Sequence, residues 1–301
     1  MQDRGHLMTE LRNPRSTNLD RMSIAEIVDL LNAEDATIAE SVAAARADIC
    51  KAIELVVAAF EAGGRLIYVG AGTSGRLGVL DASECPPTFL SDPRMVQGDI
   101  AGGWEALRRA IEGAEDFPEH GAVRMDELEI GPHDVVFGIS TGGTTPYVHG
   151  AIARAKARGA RTVFFGCVVE EHVADEADVS IRVLVGPEVV TGSTRLKAGT
   201  ATKMVLNMVT TTAMIRIGKV YENLMVDVDT SKNRKLVDRG TRMIMTVTGL
   251  ERAAAGELLK QSGGHVKTAL VMHAQGITRA EAEQLLAKHH GHVARIIKAQ
   301  M

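Results

Sequence analysis

Short apolar segments alternate with helix-like segments through the middle of the chain. We predict five strands, at residues 65–70, 94–100, 134–139, 161–166 and 179–185. Helices are predicted between them, at residues 74–84, at residues 104–112 and in the segment that ends at residue 157. This alternation indicates an α/β fold, a doubly wound parallel sheet covered by helices on both faces. Ligands of such folds bind at the carboxyl ends of the strands.

The segments on either side of the sheet are predicted to be helical. Ser23 and Glu26 have the spacing of a capping box, and apolar residues then recur at helical spacing up to residue 60, with a break near residues 32–35. Residues 197–218 have the pattern of one long, methionine-containing helix. The predicted organisation is an N-terminal arm with helices (1–56), a sheet domain (57–220), a linker segment (221–245) and a small C-terminal helical domain (246–301).

Composition narrows the function classes. The chain has 301 residues, 45% of them hydrophobic, which is enough for a substantial core. Its net charge is −4 and its basic residues are scattered, so nucleic-acid binding is not expected. No apolar run reaches the ~18–20 residues of a membrane span. Three cysteines without metal-like spacing fit a reduced, cytoplasmic setting better than a disulfide framework.

The most informative chemistry lies in two loops rich in glycine and hydroxyl side chains, at residues 70–76 and 140–146. Each follows a predicted strand and precedes a predicted helix, so its backbone N–H groups form an anion site. Thr73 and Ser74 add neutral donors for phosphate oxygens. Pro86 and Pro87 are expected to stop the first helix, which would place Glu84 at its C-terminal end.

Two other interpretations of the first loop stay open. Gly70, Gly72 and Gly75 also satisfy the dinucleotide pattern G-x-G-x-x-G. That pattern needs a full crossover helix and an acidic residue about 20 positions further on. The expected early helix stop and the distant Asp99 argue against it. The loop could also be an ordinary tight turn of an α/β protein.

Several blocks in order along nearly the whole chain resemble the N-acetylmuramic acid 6-phosphate etherases, a family of the sugar-isomerase (SIS) fold group. The longest is residues 70–87, and others are residues 100–103, 112–116, 188–200, 207–208, 223–228 and 235–236, together with Thr9, Glu10 and Asn13. The resemblance implies an SIS-type sheet domain and no metal or redox cofactor. One departure is Gly142, which stands where the family commonly has a serine.

The resemblance also implies site residues and a reaction. Glu84 is expected as the proton donor and Glu115 as the second acid/base in an elimination of D-lactate followed by addition of water. The residues expected to bind the sugar phosphate are Gly72, Thr73, Ser74, Ser140, Thr141, Thr144, Thr145, Glu188, Ser193 and Lys197. The implied partners are a small sugar phosphate and a second copy of the chain in a homodimer. Rival functions are a sugar-phosphate-binding regulator, like the related glucokinase regulatory protein, and an aldose–ketose isomerase.

Overall fold

A five-stranded, all-parallel sheet lies at the centre of the first of two units in this computed structural model, which describes residues 4–228, 230 and 234–297. That unit comprises Met1–Ser83 and Arg94–Thr210. The strands are β1 (Leu66–Gly70), β2 (Val96–Ile100), β3 (Val135–Ile139), β4 (Arg161–Gly166) and β5 (Val179–Arg182). The spatial order β2-β1-β3-β4-β5 places the topological switch point between β1 and β3.

The helices follow the strands and also flank the sheet along the chain. They are α1 (Ile24–Asp35), α2 (Ile38–Ala44), α3 (Arg46–Glu61), α4 (Gly72–Phe89), α5 (Gly103–Arg108), α6 (Pro118–Glu127), α7 (Pro146–Ala157), α8 (Lys197–Arg216), α9 (Arg234–Thr248), α10 (Arg252–Gln261), α11 (Val266–Gln275), α12 (Arg279–Lys288) and α13 (Val293–Ile297). Short 3₁₀ turns lie at Met8–Glu10, Pro14–Ser16 and Leu19–Arg21. None of the helices in the described part of the chain has both the length and the apolarity that crossing a membrane requires.

The sheet confirms the predicted fold class. All residues of β1 and β3 are buried, as expected for strands covered on both faces. Gly70 at the end of β1 pairs in register with Ile139 at the end of β3. The two glycine and hydroxyl loops therefore start next to each other at the switch point, where the sequence predicts the ligand site.

The predicted end of the first sheet helix was wrong. Helix α4 begins at Gly72 and continues through Pro86 and Pro87 to Phe89, so Glu84 lies within the helix instead of at its end. Proline's backbone angle suits a helix, and each proline removes only one backbone donor and crowds one carbonyl. The turn after the prolines still closes, because the Leu90 amide donates to the Pro86 carbonyl at 2.9 Å.

Other differences concern the elements after β2 and the linker. The helix predicted at residues 104–112 ends at Arg108, and α6 follows it without having been predicted. The second unit comprises Glu84–Pro93 and Thr211–Met301. Residues 221–245, expected as a linker, supply core residues of that unit, including Val226, Val228 and Ile244. Part of the expected linker, residues 229 and 231–233, lies outside the described residues.

Candidate active site

A cavity of about 220 Å³ lies at the loops that follow β1 and β3, and we call it the hydroxyl cavity. Its lining residues are Arg4, Leu7, Glu10, Ala71, Gly72, Thr73, Ser74, Glu115, Thr141, Gly142, Thr144, Thr145 and Thr194. Seven of the residues expected from the sequence, six for sugar-phosphate binding and one for catalysis, are thus brought together: Gly72, Thr73, Ser74, Thr141, Thr144, Thr145 and Glu115. The wall combines six hydroxyl-bearing residues with two carboxylate residues, Glu10 and Glu115.

The first loop is shaped by glycines that let α4 start directly against the sheet. A Cβ at Gly75 would lie 2.6 Å from Cγ1 of Ile100 in β2, and one at Gly70 would lie 2.7 Å from the Gly75 nitrogen. Only residues without a side chain fit this contact. As a result, the first turn of α4 presents Thr73 and Ser74 to the cavity, where the N–H groups of a helix start have no partner within the helix.

The second loop is held by Ser140, whose hydroxyl oxygen accepts the Thr145 amide at 3.2 Å and lies 2.8 Å from the Thr145 hydroxyl. Ser140 is 2% exposed and does not line the hydroxyl cavity. The sequence places Ser140 among the phosphate-binding residues, whereas the geometry gives it a bond that closes the loop. Thr141, Thr144 and Thr145 line the cavity in its place, next to the start of α7.

Glu115 is the carboxylate that the cavity and the acid/base prediction have in common. Its carbonyl accepts the Tyr147 amide at 3.0 Å, which ties the segment to the first turn of α7. Partial burial raises the pKa of Glu115 above the value of an ordinary glutamate, and the nearby charges of Asp116 and Glu112 raise it further, while Arg4 opposes them. A raised pKa brings a carboxyl group closer to the pH of the solution, which suits proton transfer.

A second cavity, of about 150 Å³, shares Glu115, Ala71 and Gly72 with the first. We call it the alanine cavity, because five of its eleven lining residues are alanines. Its remaining lining residues are Arg76, Ala101, Ala106, Ala110, Ile111, Glu112, Gly113 and Ala114. Glu115 therefore lies where the hydroxyl cavity and the alanine cavity meet.

The N-terminal segment contributes a part of the wall that the sequence analysis did not identify. Arg4, Leu7 and Glu10 line the hydroxyl cavity, and Arg4 is the cation among its lining residues. Glu10 was noted in the family resemblance without a role. The segment forms short turns and no long helix or strand, so its apolar residues do not recur at a regular spacing that could have predicted its position.

Two residues that were expected to bind substrate form bonds with other groups of the protein. Glu188 is fully buried, and its carboxylate accepts the backbone amides of Lys197 and Ala198, both at 2.9 Å, which caps the start of α8. The Lys197 ammonium donates to Oε2 of Glu34 at 2.6 Å. Asn13 and Arg15 also donate to Glu34, each at 2.9 Å. Neither Glu188 nor Lys197 lines the hydroxyl cavity.

Neither Ser193 nor Glu84 is among the lining residues of the two cavities. The neighbour of Ser193, Thr194, supplies the hydroxyl that reaches the hydroxyl cavity. Glu84 is exposed, lies ten residues beyond Ser74 in α4 and belongs to the second unit. The structure therefore places one of the two predicted acid/base residues in the wall of the hydroxyl cavity.

Comparisons with known proteins identify the family. The chain is 56% identical over 270 residues to the N-acetylmuramic acid 6-phosphate etherase of Gloeothece citriformis, with 90% of this chain and 88% of the relative covered. It is 57% identical to the etherase of Thermosynechococcus vestitus, with 89% and 86% covered. The chain belongs to the N-acetylmuramic acid 6-phosphate etherase family.

Two domain models match parts of the etherase-family chain. Residues 112–212 match the SIS domain, and residues 48–156 match the glucokinase regulatory protein N-terminal SIS domain. Both matches agree with the SIS-type sheet expected from the sequence. A solved phosphoheptose isomerase from Neisseria gonorrhoeae matches with a TM-score of 0.46 at 18% identity, covering 62% of this chain and 99% of the isomerase. That score is too low to support a statement about this chain.

Proposed function

We propose that this enzyme cleaves the D-lactyl ether of N-acetylmuramic acid 6-phosphate to N-acetylglucosamine 6-phosphate and D-lactate. The observation that supports this most strongly is the high identity to named etherases over nine-tenths of the chain. The hydroxyl cavity adds physical support. The start of α4 and the neutral hydroxyl groups suit a phosphate, and Glu115 suits proton transfer. The reaction belongs to the catabolism and recycling of cell-wall amino sugars, and we place it in the cytoplasm.

The proposed reaction is a lyase reaction in two steps. An ether is hard to cleave by direct displacement, because an alkoxide is a poor leaving group. Opening of the sugar ring exposes an aldehyde at C1, which makes the C2 proton acidic. A base removes that proton, the electrons of the C2–H bond form a C2=C3 double bond, and the C3–O bond breaks. An acid protonates the departing lactate oxygen, and water then adds its oxygen to C3 and a proton to C2.

The two proton transfers require two groups, for which we propose Glu84 and Glu115. We assign Glu84 as the acid and Glu115 as the second acid/base. The raised pKa of Glu115 supports its share of this work. Phosphate is proposed to lie against Thr73, Ser74 and the threonines of the second loop, with the first turn of α4 adding N–H donors. The binding roles expected for four further residues remain predictions: Ser140, Glu188, Ser193 and Lys197.

The deciding experiment is incubation of the purified protein with N-acetylmuramic acid 6-phosphate and an assay for free D-lactate. Run in ²H₂O, the reaction should place deuterium at C2 of the product, and in ¹⁸O water the new oxygen should be at C3. Glu84→Gln and Glu115→Gln should keep the fold and lose turnover by about 10²- to 10⁴-fold. Binding of sugar phosphate without turnover would favour the regulator, and aldose–ketose conversion without lactate would favour the isomerase.

We also propose that the enzyme is a homodimer. Apolar side chains exposed on the first unit, among them Ile24 at 84% and Trp104 at 74%, supply area that a partner could cover. Light scattering should give twice the mass of one chain, and a fully active particle of 32.2 kDa would contradict the dimer. Mixing the impaired Glu84→Gln and Ser74→Ala subunits then tests whether a site uses both chains, because partial rescue requires a mixed dimer.

A further inference from the structure

The alanine cavity is lined by an arginine, Arg76, to which the proposed reaction assigns no role. Arg76 lies on the second turn of α4. Its Nε donates to the Leu107 carbonyl at 3.3 Å, and one Nη donates to the Arg109 carbonyl at 3.2 Å. Both acceptors are neutral, and within the described residues no carboxylate forms an ion pair with Arg76. The guanidinium is therefore held by neutral groups, without an ion-pair partner among the described residues, although Glu112 and Glu115 line the same cavity.

The rest of the cavity wall indicates how large and how polar its ligand is. Five alanines surround a space of about 150 Å³, which suits a group of a few heavy atoms with a methyl substituent. Guanidinium recognises carboxylates through two parallel N–H donors, and it does so most strongly where the site is partly shielded from water. The cavity thus fits a small carboxylate-bearing group next to Glu115.

The lactyl ether of the proposed substrate carries such a group, a carboxylate and a methyl on one carbon. We propose that Arg76 binds the lactyl carboxylate in the alanine cavity, while the phosphate lies in the hydroxyl cavity. This inference rests on the proposed function and names its specificity-determining residue. Because Glu115 lines both cavities, a substrate that spans them brings the bond between C3 and the lactyl oxygen next to this carboxyl group. Binding energy at the lactyl group then orients the reacting bond.

Glu112 provides an internal check, because its carboxylate lines the same cavity. A second negative charge there opposes a carboxylate ligand and does not oppose a neutral one. Glu112→Gln should therefore lower KM for the lactyl substrate modestly, whereas Arg76→Gln should raise it. Opposite shifts in KM that disappear with a neutral lactyl group indicate a charge on the ligand, because the effect of Glu112 on the pKa of Glu115 would remain with either ligand.

The experiment compares the lactyl substrate with its neutral lactyl methyl ester, which keeps the sugar and the phosphate. The wild-type enzyme should prefer the carboxylate by about 10- to 100-fold in kcat/KM, the value of one charge-assisted pair. Arg76→Gln should lose that preference, and Arg76→Lys should keep part of it. Affinity for N-acetylglucosamine 6-phosphate, which lacks the lactyl group, should be the same in wild type and Arg76→Gln.

The possible failures can be told apart. No turnover of either compound by the wild-type enzyme would refute the proposed function itself. Turnover with an unchanged preference in Arg76→Gln would refute the role of Arg76 and leave the function intact. Equal loss of affinity for the product would show that Arg76 only supports the fold. Should Arg76→Gln fail to fold, Ala110→Leu narrows the cavity from an exposed position, and it should weaken the lactyl substrate and spare the product.

Discussion

The sharpest test of the structure is Lys197→Met. Lys197 and Glu34 are both nearly inaccessible, with side-chain exposures of 4% and 8%, and their charged groups are 2.6 Å apart. Removing the ammonium leaves Glu34 buried with only Asn13 and Arg15 as donors. Loss of one partner of a buried ion pair costs about 3–5 kcal/mol. At about 2–4 °C per kcal/mol, we expect the melting temperature of this unit to fall by about 6–20 °C.

The assay is thermal unfolding followed by circular dichroism, with KM measured well below the transition. The matched control is the double variant Glu34→Leu with Lys197→Met, which replaces the pair by apolar groups and should recover much of the stability. KM should change little in Lys197→Met, because the ammonium already has its partner. A variant with wild-type stability and a strongly raised KM would refute this reasoning and would restore Lys197 as a substrate-binding residue.

Three further predictions concern the hydroxyl cavity. Ser74→Ala should raise KM by about 10- to 100-fold, since a bond to a charged group is worth ~1.5–3 kcal/mol, and unchanged kinetics would contradict the phosphate assignment. Asp116→Asn removes a charge that helps burial raise the pKa of Glu115, so the acidic limb of the kcat/KM profile should move to lower pH, and a fixed limb would exclude Glu115 as the base. Gly142→Ser should raise the free energy of unfolding in urea by about 0.4–1 kcal/mol. A Cβ there meets nothing closer than the Thr9 hydroxyl oxygen, at 3.9 Å, and that buried oxygen lacks a partner among the described residues. A lower free energy of unfolding would contradict this prediction.

The sheet could be predicted from the sequence because fully buried parallel strands are short, continuous apolar segments. Four of the five predicted strands begin within one residue of their observed starts, and the weakest, residues 94–100, is observed as Val96–Ile100. Both loops could be predicted in the same way, because each places glycines and hydroxyl side chains between a buried strand and a helix. The family resemblance then added Glu115, which no local pattern would have singled out.

Other features depend on contacts that no local pattern encodes. Asn13 donates to the Pro187 carbonyl, 174 residues away, and Lys197 reaches Glu34 over 163 residues. The residues shortly before Asn13 line the hydroxyl cavity, although nothing in their sequence predicts a wall for a ligand. The continuation of α4 through Pro86 and Pro87 was missed because proline was expected to stop the helix, whereas its backbone angle suits a helix and the turn after Pro86 still closes.

Arg76 and Lys197 show why a motif residue has to be interpreted through its partners. Both are cations in segments that resemble the etherase family, and the resemblance predicted a ligand-binding role for Lys197. The structure pairs Lys197 with a buried carboxylate, so its charge is already balanced and a ligand would have to displace Glu34. Arg76 donates only to neutral carbonyls and keeps a positive charge at the wall of a cavity. Since a partly buried cation without an ion-pair partner is stabilised when an anion meets it, Arg76 is the one of the two that we propose as the binding residue for a negatively charged group.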